Sequence, residues 1–197
     1  MLKETAQAEG IIELMKTSGA LLSGHFQLAS GLHSETYIQC ALLLEDPCRA
    51  ERVGSRLFHL LRKQVGPLGR CVVASPALGG IIIGHEVARA SGSRFVFTER
   101  VDGRMTLRRG FKIDRGEKVV VVEDVITTGG STREVIEVVE ERGGRLIGVG
   151  SIVNRGAGTD FGVPFAYLVG AEIVNCAPQE CPLCQRGVQV VKPGSQR

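Results

Sequence analysis

The sequence predicts an α/β domain in which a central, mainly parallel sheet is flanked by helices. Its length of 197 residues fits a single domain. Val119, Val120, Val121 and Val122 form an unbroken β-branched run, the mark of a strand buried on both faces. From Cys71 onward, short apolar runs of this kind alternate with helical patterns.

Taken in chain order, Ile11, Ile12, Leu14 and Met15 predict a helix ending near Gly19. The polar, glycine-punctuated stretch 26–40 reads as a hairpin with arms at 26–29 and 37–40. Asp46-Pro47 supplies an N-cap followed by proline at the first helical position, and Val53, Leu57, Leu60 and Leu61 continue that helix. Strands are then expected at 71–75, 95–98, 118–123, 146–153 and 165–169, with helices at 80–91 and 131–142. Gly143-Gly144 ends the second of these helices.

Hydrophobic residues make up 43% of the chain and charged residues 23%, ordinary values for a soluble globular protein. A net charge of +3 is too small to imply a nucleic-acid or membrane partner. The absence of Trp and scarcity of aromatics argue against a stacking platform for single strands. Residues 1–10 carry Lys3, Glu4 and Glu9 and no secretory pattern, so a cytoplasmic protein with mostly reduced cysteines is expected.

The chemistry concentrates after the valine run. Glu123 and Asp124 stand where that strand is expected to end, followed by Val125, Ile126, Thr127, Thr128, Gly129, Gly130 and Ser131 at the start of a helix. Backbone N–H groups of such a loop and the helix dipole favour a phosphate dianion. Paired carboxylates can accept hydrogen bonds from vicinal sugar hydroxyls. The arrangement suits a phosphorylated sugar. Two further loops should meet the same sheet edge. Residues 75–80 (Ser-Pro-Ala-Leu-Gly-Gly) read either as a second anion loop or as a plain strand-to-helix turn. Residues 154–158 carry Arg155, either a surface residue or a bidentate partner for a carboxylate. Arg100, Arg104, Arg108, Arg109, Lys112 and Arg115 cluster in 100–115, as a polyanion-holding segment or as a salt-bridged hairpin.

The run from Val119 to Ser131 resembles the signature of the type I phosphoribosyltransferases, which bind phosphoribosyl pyrophosphate. The resemblance spans about 23–174 and is strongest to the branch that acts on orotate. Residues 23–34 (Ser-Gly-His-Phe-Gln-Leu-Ala-Ser-Gly-Leu-His-Ser) with Tyr37-Ile38-Gln39 look like its hood over the pyrimidine. It implies one domain over 1–197, its hood formed mainly by 1–45 with the C-terminal segment, and a mobile loop at 100–115. It implies donor binding by Glu123 through Ser131, pyrophosphate at 75–80, orotate contacts from Thr127 and Arg155, and loop cations Arg100, Arg104 and Arg108 at the catalytic centre. Mg2+ is implied as a cofactor held mainly through substrate and water, with no direct protein ligand assigned. A homodimer with shared active sites is implied, with no nucleic acid and no membrane. Ala29 and Gly79 stand where many relatives carry Lys, and residues 100–115 lack the usual His. Other type I phosphoribosyltransferases, or a non-enzymatic regulator of that fold, are the alternatives. A purine enzyme would need no arginine for a base carboxylate, and a regulator would be expected to show a broad basic face.

Cys181-Pro182-Leu183-Cys184, with Cys176 upstream, has zinc-ligand spacing on one side only. With no second such pair and with His25, His33, His59 and His85 scattered, the sequence reads these cysteines as thiols on a C-terminal helix.

Overall fold

The computed structural model describes residues 2–5, 8–28, 30–68, 70–156 and 158–193. Ala29 of the expected hood and Ala157 of the Arg155 loop lie outside them. Two sheets are present. The larger is built from β1 (Leu2–Glu4), β4 (Val72–Pro76), β5 (Arg94–Val101), β6 (Arg104–Leu107), β7 (Lys118–Ile126), β8 (Arg145–Asn154) and β9 (Phe165–Ala171). Its seven strands run in the order β1-β9-β8-β7-β4-β5-β6. Every inner pairing is parallel, and only the edge pairs, β1 with β9 and β5 with β6, are antiparallel.

The valine run explains why β7 is central. Val119 and Val121 face one apolar core while Val120 and Val122 face the other, and all four are fully buried. This is the two-residue period of a pleated strand with no solvent face. One core lies under α3 (Pro47–Val65) and α4 (Gly80–Ser91), the other under α5 (Gly130–Glu141). Helix α3 starts as the sequence predicts: the Asp46 carboxylate accepts from the Arg49 N–H at 2.8 Å, with Pro47 in the first turn. Its apolar stripe of Val53, Leu57, Leu60 and Leu61 is buried.

The smaller sheet has the order β10-β3-β2, from β2 (Leu21–Gln27), β3 (His33–Ile38) and β10 (Asn175–Cys176). The expected hairpin is present with its arms displaced, because Leu21 and Leu22 join the first arm and His33 to Thr36 the second. A bulge between Ser23 and Phe26 resets the register. Preceding it are α1 (Ile11–Thr17), and between β3 and α3 lies α2 (Cys40–Leu44).

Three differences from the sequence reading matter. Strand β7 does not end at the acidic pair but continues to Ile126, because β8 pairs with it as far as Ile126↔Asn154. Residues 2–4 form an edge strand on β9, too short to show a period in the sequence. The C-terminal helix is only a single short turn, α6 (Pro182–Gln185), with Cys181 just before it and Cys184 within it. Among the described residues no helix is long and apolar enough to cross a membrane.

Removing the α3 cap tests this account of the scaffold. Asp46→Ala is expected to lower unfolding free energy by about 1 kcal/mol without changing the fold, measured by urea denaturation with circular dichroism.

Candidate active site

The pleat of β7 sends its two adjacent carboxylates to opposite faces. Glu123 points toward α5, where the buried Thr132 hydroxyl donates to its Oε2. Asp124 points toward the loop before α4. A Cβ on Gly79 would lie 2.7 Å from Asp124 Oδ1, so no larger residue fits there without displacing the carboxylate. Burial raises both acids. Glu123 is pushed up to about 7 by burial, against the Thr132 hydrogen bond and with some help from the Asp124 charge. Asp124 is raised by burial, opposed by backbone N–H groups.

Beyond Ile126 the chain turns through Thr127 and Thr128, both exposed, to Gly129, whose φ of 78° is a left-handed conformation suited to glycine. No side chain caps α5, so the first N–H groups of the helix stay free for a ligand. The resulting cradle of about 260 Å3 is lined by Glu123, Val125, residues 127–131 and Glu134. Thr127 and Thr128 also line a larger recess of about 820 Å3. Its other walls include Leu28 and Ser30 from the hairpin, Arg155, Thr159, Ile173 and Asn175. The cradle and the larger recess therefore share one threonine pair.

Arg155 is held by its own backbone: its N–H donates to the Ile126 carbonyl at 2.7 Å. Gly156 lets the two loops close, since a Cβ there would lie 2.3 Å from the Thr127 carbonyl oxygen. Among the described residues the buried Arg155 Nε has no acceptor, and a terminal nitrogen donates to Asn175 Oδ1 at 3.5 Å. Desolvation lowers the guanidinium's pKa from its ordinary value. A half-buried cation lining a recess suits an anion.

Loop 75–80 lies beside these elements at the C-terminal end of β4 and carries the exposed Leu78. The basic segment is a hairpin. Strands β5 and β6 are joined at Val101↔Arg104 by Asp102-Gly103, both with positive φ, as a two-residue turn of this twist requires. Arg100 pairs with Glu134 at 2.6 Å and Arg109 with Glu99 at 2.8 Å. Arg104 lines a groove along α5 with Glu134, Glu137 and Glu141, and Arg108 is exposed. Of the three loop cations, Arg100 is thus tied to the cradle through Glu134, Arg104 shares a groove with that glutamate, and Arg108 lines neither. Sequence reasoning missed Thr132, Asn175 and Ile173. Thr132 sits inside an ordinary helical pattern, and the other two reach the recess only through the path of the tail.

Comparison with known proteins gives this geometry a family. Residues 49–167 match the model of the phosphoribosyl transferase domain. The chain belongs to the type I phosphoribosyltransferase family. Within it, the chain is 50% identical over 186 residues to the orotate phosphoribosyltransferase of Heliobacterium modesticaldum, covering 94% of this chain and 96% of the relative. It is equally 50% identical over 188 residues to that of Pelotomaculum thermopropionicum, covering 95% and 97%. The crystal structure of orotate phosphoribosyltransferase from Aeropyrum pernix shares the fold, with a TM-score of 0.61 at 24% identity over 92% of this chain and 91% of that one.

The raised Glu123 has a stability consequence. The folded protein binds this proton more tightly than the unfolded chain, so ionisation costs nothing below the unfolded value of roughly 4.3. The cost grows as pH rises and is complete once Glu123 ionises above about 7. Glu123→Gln is therefore expected to be more stable than wild type at pH 8, by on the order of 1–3 kcal/mol, with no such gain at pH 4. Equal urea midpoints at both pH values would remove burial as the cause.

Proposed function

We propose that the chain transfers the ribose 5-phosphate group from phosphoribosyl pyrophosphate to orotate, giving orotidine 5′-monophosphate and pyrophosphate, a step of pyrimidine nucleotide synthesis. The observation that carries the choice of base is the unmet Nε of Arg155 in a recess continuous with the phosphate cradle. Orotate brings a carboxylate to such a group, whereas uracil and the purines do not. The orotate phosphoribosyltransferases among the relatives support the same reading.

In this reading the N–H groups and hydroxyls of residues 127–131 hold the 5′-phosphate. Glu123 and Asp124 hold the ribose hydroxyls, and loop 75–80 holds the pyrophosphate. Thr127 and Arg155 orient orotate so that its ring nitrogen faces the anomeric carbon. The nitrogen–carbon bond forms as the bond from that carbon to pyrophosphate breaks, through a state with oxocarbenium character. No protein nucleophile is required, so the protein supplies position and charge. Glu123 at the cradle and Asp124 beside the loop before α4 are hard oxygen donors suited to a hydrated Mg2+, which when bound would neutralise the leaving group. Because an ionised Glu123 accepts more strongly from the sugar hydroxyls than its protonated form, donor affinity should rise as pH increases through about 7.

The hairpin around residues 100–115 is proposed as the lid, with Arg100, Arg104 and Arg108 reaching a neighbouring subunit's site in a homodimer. The small sheet, within residues 1–45 and the C-terminal segment of a single domain, is proposed as the hood. The protein is read as cytoplasmic, with neither nucleic acid nor membrane as partner.

The direct test is loss of orotate absorbance with phosphoribosyl pyrophosphate and Mg2+, with uracil, adenine and hypoxanthine as parallel acceptors. Orotate alone should be consumed. Turnover of another base, or donor binding without turnover, would overturn the assignment. Arg155→Ala should raise the KM for orotate by roughly 100-fold, the loss of a charge-assisted pair, with the donor KM little changed. Arg104→Ala and Arg108→Ala should lower turnover far more than donor binding in at least one case. Wild-type turnover in both would sink the lid assignment.

A further inference from the structure

The described residues contain one group of side chains that the transfer reaction does not use and that has the composition of a metal site. His25 lies on β2, His33 opens β3, Cys181 immediately precedes α6 and Cys184 lies within it. One donor atom from each lies within 4.8 Å of all the others. We propose that His25 Nε2, His33 Nδ1, Cys181 Sγ and Cys184 Sγ form a tetrahedral zinc site that clamps the C-terminal segment onto the small sheet.

Three features support the assignment. The first is spacing. With zinc–sulfur bonds near 2.3 Å and zinc–nitrogen bonds near 2.0–2.1 Å, sulfur and nitrogen ligands of a tetrahedral ion stand about 3.5 Å apart. Here Cys181 Sγ is 3.4 Å from His25 Nε2, Cys184 Sγ is 3.7 Å from the same atom, and Cys184 Sγ is 3.3 Å from His33 Nδ1. The two imidazole nitrogens are 2.9 Å apart, a contact that a small outward movement of either ring would open to ligand spacing. The second feature is the outer hydrogen bond of His25. Its Nδ1 is 2.8 Å from the Val188 carbonyl, which can only accept, so Nδ1 carries the proton and Nε2 presents a lone pair to the cluster. The third is burial. His25, His33 and Cys181 are each 5% exposed or less, and Cys184 closes the outer side. Two imidazoles and two thiols converging in a buried space otherwise satisfy one another poorly.

The topology explains what such a site would do. The pairing Gln27↔His33 puts His33 diagonal to His25 on one face of the hairpin. The tail pairs with both edges of the hairpin. β10 pairs with β3, and Val191 exchanges backbone hydrogen bonds with His25 and Gln27 of β2. Along the outer stretch the tail buries little apolar surface, with Val188, Val190 and Val191 all exposed. A four-coordinate ion would join residues separated by most of the chain and replace the missing core. It would also hold Asn175 and Ile173 at the wall of the base recess. The metal assignment is independent of which base that recess takes.

The test uses the untagged full-length chain. Metal content by mass spectrometry should be one zinc per chain, and stripped protein should rebind Zn2+ at that ratio. Replacement by Co2+ should produce the intense visible bands of a tetrahedral thiolate complex. Cys184→Ser and His33→Ala should lose the zinc and those bands, whereas Cys48→Ser, at an exposed position elsewhere, should keep both. Chelation should lower the melting temperature of wild type and leave that of Cys184→Ser unmoved, a comparison that needs no activity. Folded wild-type protein that neither contains zinc nor gives thiolate–Co2+ bands would overturn the site and leave a histidine pair beside two free thiols. Loss of metal in Cys176→Ser with retention in Cys184→Ser would overturn the ligand set.

Discussion

The pleat of β7 is the constraint on which the site depends. Because successive side chains leave a strand on opposite faces, four buried valines anchor it in two cores at once and the next two residues inherit the same alternation. Glu123 is delivered to Thr132 on the α5 side and Asp124 to Gly79 on the other. Two carboxylates adjacent in the chain are thereby kept from facing each other directly. Their raised affinity for protons comes mainly from burial, with mutual repulsion a smaller cause at Glu123.

The cradle and the recess stand on different supports. The cradle stands on a helix terminus and on the last residues of a central strand, with the neighbouring loop tied on through the Arg155 N–H and the close approach of Gly156. The recess is partly walled by the hairpin and by the tail that pairs with it. The sheet thus positions the cradle, and the recess depends also on whatever fastens the tail. A cluster of two histidines and two cysteines sits where that fastening is needed.

Charge on the β5–β6 hairpin is largely answered by neighbouring acids. Glu134 pairs with Arg100 and also lines the cradle, while Glu99 takes Arg109. These pairs are solvent-exposed, and such pairs are each worth only about 0–1 kcal/mol. An incoming polyanion could displace the carboxylates at low cost, which suits a segment that changes partners. The salt-bridged hairpin and the substrate-holding segment, alternatives from sequence, are compatible as successive states of one element.

The sequence by itself determined the buried central strand, the start of α3 and the Thr/Gly loop that follows the acidic pair. The valine run, the Asp46-Pro47 cap and the Thr/Gly loop are local patterns, each readable because strand burial, helix capping and anion binding act over a few neighbouring residues. A hairpin is one of two readings of the basic segment, argued from its charges; the Asp102-Gly103 turn that closes it is shown by the structure. Tertiary structure alone decided the rest. The extension of β7 to Ile126 needed β8 beside it, and the edge strand at residues 2–4 needed β9. Asn175 meets Arg155, and His25 and His33 meet Cys181 and Cys184, only because the tail folds back across the hairpin. Contacts between residues so far apart in the chain leave no periodicity to read, since their geometry is set by the packing between them.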